Sequence, residues 1–454
     1  MENKERLAKE PVGRLLLSLS LPAVMSQLIN ALYNIVDRIF IGHIPGNGAA
    51  ALTGVGVCFP ILMLISAFAN LVGMGSAPRA AIYMGKKKND TAEKILGNAF
   101  SALVGVSVIL TLSFLLFREP MLHLFGASRI TMEYAKSYST IYVMGTIFVQ
   151  LTMGLSLFIS TQGFTKESMK IVVTGAVINI GLDPLFIFAF KQGVRGAAMA
   201  TVISQGVTAV LVIRFFRGNK TMLRLKKENF RVQWTILGPC LALGIAPFVM
   251  ISTESILQLC FNKSLLRYGG DLAVGAMTIL ASIMQFGLLP LNGITQGGQP
   301  IISYNYGAGN IQRVREAFRK QTLLCFAYAS LIWAVVMFIP GIPVGFFTSE
   351  AKLYGLSKRY IRIYGAGMLC LGLQVSCQQA FIAFGNAKTS TFLAFFRKLI
   401  MLIPLIYILP HIMENKVKAV FLAEPISDIV AAAVTCTMFF FQFKKIRECK
   451  VKGV

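Results

Sequence analysis

The 454 residues include 44 Lys and Arg against 19 Asp and Glu, a formal net charge of +25, yet only 14% are charged and 55% are hydrophobic. Soluble domains carry about 25% charged residues, so the composition excludes an ordinary soluble enzyme and points to a helical protein that crosses a membrane many times. The positive surplus does not indicate nucleic acid, because it is gathered in short loops between apolar stretches.

A helix needs about 20 apolar residues to cross the hydrocarbon core. Twelve segments meet that need. The first six lie at 15–41, 49–78, 95–117, 134–160, 168–190 and 194–216. The second six lie at 234–262, 272–303, 319–347, 359–384, 390–412 and 417–443. No connection is long enough for a soluble domain. The opening MENKERLAKEPVGR leads into a full-length span and does not read as a removable signal peptide.

Lys and Arg alternate from loop to loop. They fill the amino-terminal tail (Arg6, Lys9, Arg14), the loop after the second span (Lys86, Lys87, Lys88), the central connection (Arg217, Lys220, Arg224, Lys226, Lys227, Arg231), the loop after the eighth span (Arg313, Arg315) and the carboxyl-terminal tail (Lys444 to Lys452). The first intervening loop, HIPGNGA, has none. The positive-inside rule then places both termini and the central linker in the cytoplasm. Eight cysteines lack paired metal or redox spacing, and His43, His123 and His411 are scattered, so neither a disulfide framework nor a metal site is expected.

The chain reads as a duplication. GSAPRAAIYMGKKKN (75–89) matches GGQPIISYNYGAGNI (297–311), pairing Gly75 with Gly297, Pro78 with Pro300 and Gly85 with Gly307. Gly163, Lys166 and Ser168 pair with Gly385, Lys388 and Ser390, and Pro22 pairs with Pro247. Six spans per half give both halves the same orientation, related by an axis along the membrane normal with the substrate path between them. The predicted organisation is an all-α polytopic membrane protein: a six-helix lobe at 1–216, a cytoplasmic linker at 217–233 on the hinge side, and a pseudo-symmetric six-helix lobe at 234–454.

Asp37 and Asp183 lie inside apolar runs of the first lobe, where a charge is costly and by default functional. Tyr33 and Asn179 each precede an acid by four residues and share its helix face. Pro184 has no backbone N–H, which predicts a bend beside Asp183, and Thr201 adds a hydroxyl at similar depth. Two carboxylates in a low-dielectric cleft repel and lose solvation, which favours proton uptake and release near neutral pH. Asp37 aligns with Asn262, and the position of Asp183 falls near Leu405, so the acid pair is expected in the first lobe alone. In the second lobe, Glu254 is the further candidate, while Asp428 reads as a packing or gating residue. Gln296, Gln299, Gln374, Gln378 and Gln379 either bind substrate or bridge helices.

The paired six-span halves, YNIVDRIFIGH (33–43), INIGLDPLFIF (178–188) and the repeated G-x-x-P…G boxes resemble the multidrug and toxic compound extrusion (MATE) family, in its MepA-like branch, over about residues 10 to 445. The resemblance implies a secondary multidrug exporter of amphipathic, mostly cationic compounds, with Tyr33, Asp37, Asn179, Asp183 and Thr201 as site residues. It implies protons, and in some members sodium, as the coupling ion. Another branch uses a second-lobe site with a Glu in the seventh span and an Asp in the tenth. Glu254 matches the first, but the tenth span here has no acid, which favours first-lobe proton coupling. The expected partners are the bilayer and small-molecule drugs, with the chain acting as a monomer and without an organic cofactor. A related two-lobe fold that flips lipid-linked precursors is the alternative, although it calls for a basic cleft and the buried charges read as mainly acidic. An enzyme or an ATP-driven pump fits poorly, since there is no nucleophile–base pair and no GxxxxGK[ST] loop.

Overall fold

A computed structural model describes residues 2–46 and 48–451, with residues 2–4 and 445–451 described by backbone alone. Asn47, in the expected outer loop, and Lys452 lie outside the described residues. The described chain is a bundle of helices, as apolar backbone in a bilayer requires, since only internal hydrogen bonding satisfies each N–H and C=O there.

A short helix, α1 (Glu2–Lys9), precedes the first span, α2 (Val12–Gly42). Then follow α3 (Gly48–Gly85) and α4 (Asn89–Leu124). The fourth span is bent by 55° between α5 (Met132–Met144) and α6 (Thr146–Thr161). The fifth is α7 (Thr165–Pro184) extended by a π-helical turn at Leu185–Ala189, and the sixth is α8 (Val194–Arg217). One long helix, α9 (Trp234–Gly307), holds the seventh and eighth spans, broken where Gly270 adopts φ 66°. That left-handed conformation costs glycine little, which is why the reversal falls there.

After α10 (Ile311–Phe338) comes a single turn, α11 (Gly341–Gly345). The ninth span closes at Phe338, short of the predicted 347, because Pro340 and Pro343 follow. The tenth span is α12 (Ala351–Tyr364) and α13 (Met368–Ala383), joined through Gly365–Gly367. The eleventh is α14 (Ala387–Phe395), a π-helical turn at Phe396–Leu402 and α15 (Ile403–Ile412), and α16 (Lys416–Val451) completes the bundle. With α5 and α6 counted as one bent span and α9 as two, the described residues form twelve spans.

The two halves meet through small residues in a reciprocal pattern. A methyl group on Gly75 would overlap the Cys240 carbonyl, and one on Gly244 would overlap that of Leu71, so α3 and the first part of α9 cross backbone to backbone. The second part of α9 crosses α2 in the same way, with Gly297 against Ser20 and Gly293 against Val24. Gly85 and Gly307 meet each other's helices at Tyr304 and Ile82. Small residues permit such close approach in lipid, where dispersion replaces the hydrophobic drive. The repeated glycine boxes are therefore the interlobe contact itself.

Core packing divides unequally along the bundle. One large cluster unites both halves, from Leu7, Leu16 and Met84 to Ile301, Phe381 and Phe439. Toward the other end two clusters stand apart, one of first-half residues from Ile41 to Ala198 and one of second-half residues from Leu257 to Phe421. The lobes are thus sealed together at one end and separated at the other. The basic segments around 86–88, 217–233 and 308–313 gather at the sealed end, whereas 43–46 and Gly270 lie at the open end.

Two straps reinforce the sealed end. Leu7 of α1 is only 1% exposed, and its carbonyl accepts from Asn305 Nδ2 at 3.0 Å and Arg313 Nη2 at 3.2 Å. Arg313 also donates to the Glu10 carbonyl at 2.8 Å. The linker is docked on the first lobe. Buried Gln162 accepts from Thr221 Oγ1 at 3.0 Å, Met222 N at 2.7 Å and Leu223 N at 3.1 Å. Gln233 N donates to Asn98 at 2.6 Å, and Phe230 stacks on Phe100.

Candidate functional site

Near the open end of the first lobe, α2, α7 and α8 bring together the residues singled out in the sequence. Asp37 is buried on α2, with half-buried Tyr33 one turn earlier. Asp183 is 0% exposed on α7, and Asn179, one turn earlier, donates to its Oδ1 at 3.3 Å. Asn179 also approaches Thr201 Oγ1 on α8 at 3.5 Å, while Thr201 donates to the Ala197 carbonyl at 3.0 Å. The two acids are near enough for the Asp37 charge to act on Asp183.

Neither acid forms an ion pair among the described residues. Arg38 forms no ion pair with Asp37; its guanidinium lies over the Phe59 ring at 5.4 Å. Asp37 Oδ1 and Asp183 Oδ2 are buried and accept no hydrogen bond from the protein. Buried carboxylate oxygens without partners are rare in folded proteins, because each loses its hydration for nothing. The distortion predicted at Pro184 takes the form of the π-helical turn that follows it, in which Phe190 N donates to the Leu185 carbonyl at 2.9 Å. Single π turns often mark functional positions in helices.

Three side chains that sequence reasoning missed complete this pocket. Gln205 lies beside Tyr33, and its Oε1 is buried without a hydrogen-bond partner. Tyr138 and Tyr142 of α5 stack at 5.9 Å and sit close enough to Asp37 to feel its charge. The signal was present: Gln205 follows Thr201 by four residues, and the two tyrosines share the same spacing.

The second lobe holds buried basic residues that sequence reasoning missed. Arg397 and Lys398, on the π-helical turn of the eleventh span, are both buried. Arg397 pairs with Asp428 at 2.7 Å and Glu424 at 3.6 Å, and Lys398 pairs directly with Glu254. Adjacent residues project from a helix in different directions, so one cation serves α16 and the other α9. The dipeptide was overlooked because its apolar surroundings still satisfy a span by length. The four-residue spacing of Glu424 and Asp428 on α16 was the available clue.

Two of the five amides, Gln296 and Gln378, bridge between elements. Gln27 donates to Gln296 at 3.2 Å across the lobe contact, and Gln374 donates to Gln378 at 2.9 Å. Gln378 in turn approaches Met250 Sδ at 3.2 Å. Gln299 is buried with its Nε2 unpartnered, and Gln379 is half-buried.

The repeated architecture has a counterpart among known families, as the MatE family model matches residues 22–185 and again 247–408. The chain belongs to the MatE family. Its curated relatives include the multidrug export protein MepA of Staphylococcus aureus, 24% identical over 401 residues and covering 88% of each chain. MepA of Staphylococcus saprophyticus is 24% identical over 431 residues and covers 94% of each. Among solved structures, a MATE transporter in the bent conformation superposes with a TM-score of 0.92, at 22% identity over 98% of each chain. A multidrug resistance MATE family transporter in an outward-facing conformation gives 0.90, at 22% identity over 97% of this chain and 98% of that one. The MatE fold therefore covers nearly the whole molecule.

Proposed function

We propose that this MatE-family chain is a secondary exporter of amphipathic, mostly cationic compounds, driven by inward flow of protons through Asp37 and Asp183. The observation that carries the reading is the buried acid pair without an ion-pair partner, each acid retaining an oxygen that the protein leaves unbonded. Such a pair takes up a proton or an organic cation but is poorly suited to holding both, and that competition is what antiport requires. The tyrosines beside it offer aromatic faces for a lipophilic cation. The multidrug relatives named above support the same substrate class.

In this reading the sealed, basic end faces the bacterial cytoplasm, and the open end faces outward. Substrate reaches the cleft when the lobes rock the other way, and the chain works as a monomer. Arg397 and Lys398 give the lipid-flippase alternative its one supporting observation. Three carboxylates outnumber those two cations, however, which suits a phosphate-bearing lipid poorly. The deciding experiment is ethidium transport by the reconstituted protein under an imposed pH gradient in sodium-free buffer. Transport with coupled proton release supports the proposal. Strict sodium dependence without response to the pH gradient overturns the proton assignment.

A further inference from the structure

Lys398 and Glu254 form an unequal ion pair. Lys398 is 7% exposed, whereas the Glu254 side chain is 60% exposed although it sits midway along a membrane span. An ionised carboxylate at that depth is not left against lipid, so its free face belongs to the aqueous cleft between the lobes. Its neighbours agree. Phe248 meets Phe68 of the first lobe at 5.0 Å, and Glu254 lies about two turns farther along α9, toward the end where the lobe cores separate.

Behind the pair the structure is fixed. Arg397 Nε donates to Asp428 at 2.9 Å, and the Arg397 carbonyl accepts from Ser427 at 2.9 Å. These bonds pin the π-helical turn and keep Lys398 at the cleft wall. Lys398 therefore has a fixed base and one counter-ion that is more than half exposed.

A ligand carboxylate could take the place of Glu254 on Lys398 without changing the buried charge. The released Glu254 would then be free to pair with an ammonium group on the same ligand. We propose that Lys398 and Glu254 form a zwitterion site in the second lobe, with Lys398 anchoring the ligand's acid and Glu254 its amine. This rests on reading the chain as an exporter, and it assigns the residues that would recognise amphiphiles carrying both an amine and a carboxylate. Lys398 is then the specificity-determining residue for the acid group.

The test uses a matched pair of ligands, a fluoroquinolone and its methyl ester, which differ only in the carboxylate, together with ethidium as a permanent cation. Binding is measured on the reconstituted full chain. Lys398→Met should weaken the acid by about tenfold or more, the loss expected for a charge-assisted hydrogen bond. The same variant should bind the ester and ethidium no more weakly than wild type does. Glu254→Gln, which leaves Lys398 without its competitor, should raise the ratio of acid to ester affinity. If Lys398→Met inserts poorly, the charge-neutral Glu254→Gln/Lys398→Gln double variant should show the same loss of preference for the acid. An unchanged acid-to-ester ratio, or equal weakening of both ligands, would overturn the site. Failure of the wild type to transport ethidium would count against the exporter reading instead.

Discussion

Asn179 donates to one oxygen of Asp183 at 3.3 Å, and the other oxygen of that carboxylate is buried without a partner. One oxygen is thereby oriented and the other left unbonded, the arrangement on which the proposed proton coupling rests. Asp183→Asn removes the exchangeable group while preserving shape, so it should reduce pH-driven ethidium transport to the level of empty vesicles with insertion intact. Asp37→Asn should weaken transport strongly. A hydrogen bond to a charged group contributes about 1.5–3 kcal/mol, so Asn179→Ala should slow transport by about tenfold. Normal transport by a well-inserted Asp183→Asn protein would remove that residue from the mechanism.

Much of this site was legible in the sequence because its parts obey short-range rules. Tyr33 with Asp37 and Asn179 with Asp183 are one-turn pairs in apolar runs, and a charge in such a run stands out. The second-lobe cluster was harder to see, because its members meet only in three dimensions: Glu254 on α9, Arg397 and Lys398 on the eleventh span, Glu424 and Asp428 on α16. The docking of the linker was hidden for a similar reason. Its anchors, Gln162 at the end of α6 and Asn98 within α4, are ordinary polar residues until the chain returns to them.

The glycine crossings predict where added bulk is intolerable. Gly244 faces the Leu71 carbonyl, and backbone at a crossing has nowhere to move. Overpacking costs about 1–3 kcal/mol even where side chains give way. Gly244→Leu should therefore lower the melting temperature in detergent and impair transport, while the same change at Gly56, which has open space, should do neither.

Linker docking should depend on Gln162 more than on charge. Gln162→Ala deletes the acceptor for two backbone N–H groups and one hydroxyl, each worth about 0.5–1.5 kcal/mol net. Hydrogen exchange at residues 221–223 should accelerate markedly. Lys226, in contrast, is solvent-exposed, and its hydrogen bond and charge contact with Glu93 raise its pKa above the ordinary 10.5. A raised pKa means that the cation, and any support it gives, is complete below that value and lost only as pH climbs through the higher one. Corrected exchange rates in the wild-type linker should thus be the same at pH 6 and pH 9.

The strap of α1 should bias the conformational balance. Arg313→Ala removes donors to the Leu7 and Glu10 carbonyls, which tie α1 to the second lobe. Distances between spin labels across the sealed end should shift toward a more open population. An unchanged distribution would assign the strap to stability alone.

Sidedness is open to labelling. Gly85 packs against the Tyr304 carbonyl and Gly307 against that of Ile82 at one end of the bundle, so cysteines placed at Lys87 and Gly309 should react from the same face. A cysteine at Pro45 should react from the other. Opposite labelling of Lys87 and Gly309 would dismantle the parallel arrangement of the halves.

The core shared by both halves also bears on how the molecule is made. Leu15, Leu16 and Met84 are synthesised well before Ile301, Phe381 and Phe439, their eventual neighbours. A nascent first half can rest its apolar faces against lipid tails, which are as apolar as leucine. Its polar atoms have no such refuge: Ser20 must await the Ile294 carbonyl, and the Leu7 carbonyl must await Asn305. Although each half has spans enough to insert alone, neither completes its own interior, and the ancestral duplication has become a mutual dependence during biogenesis.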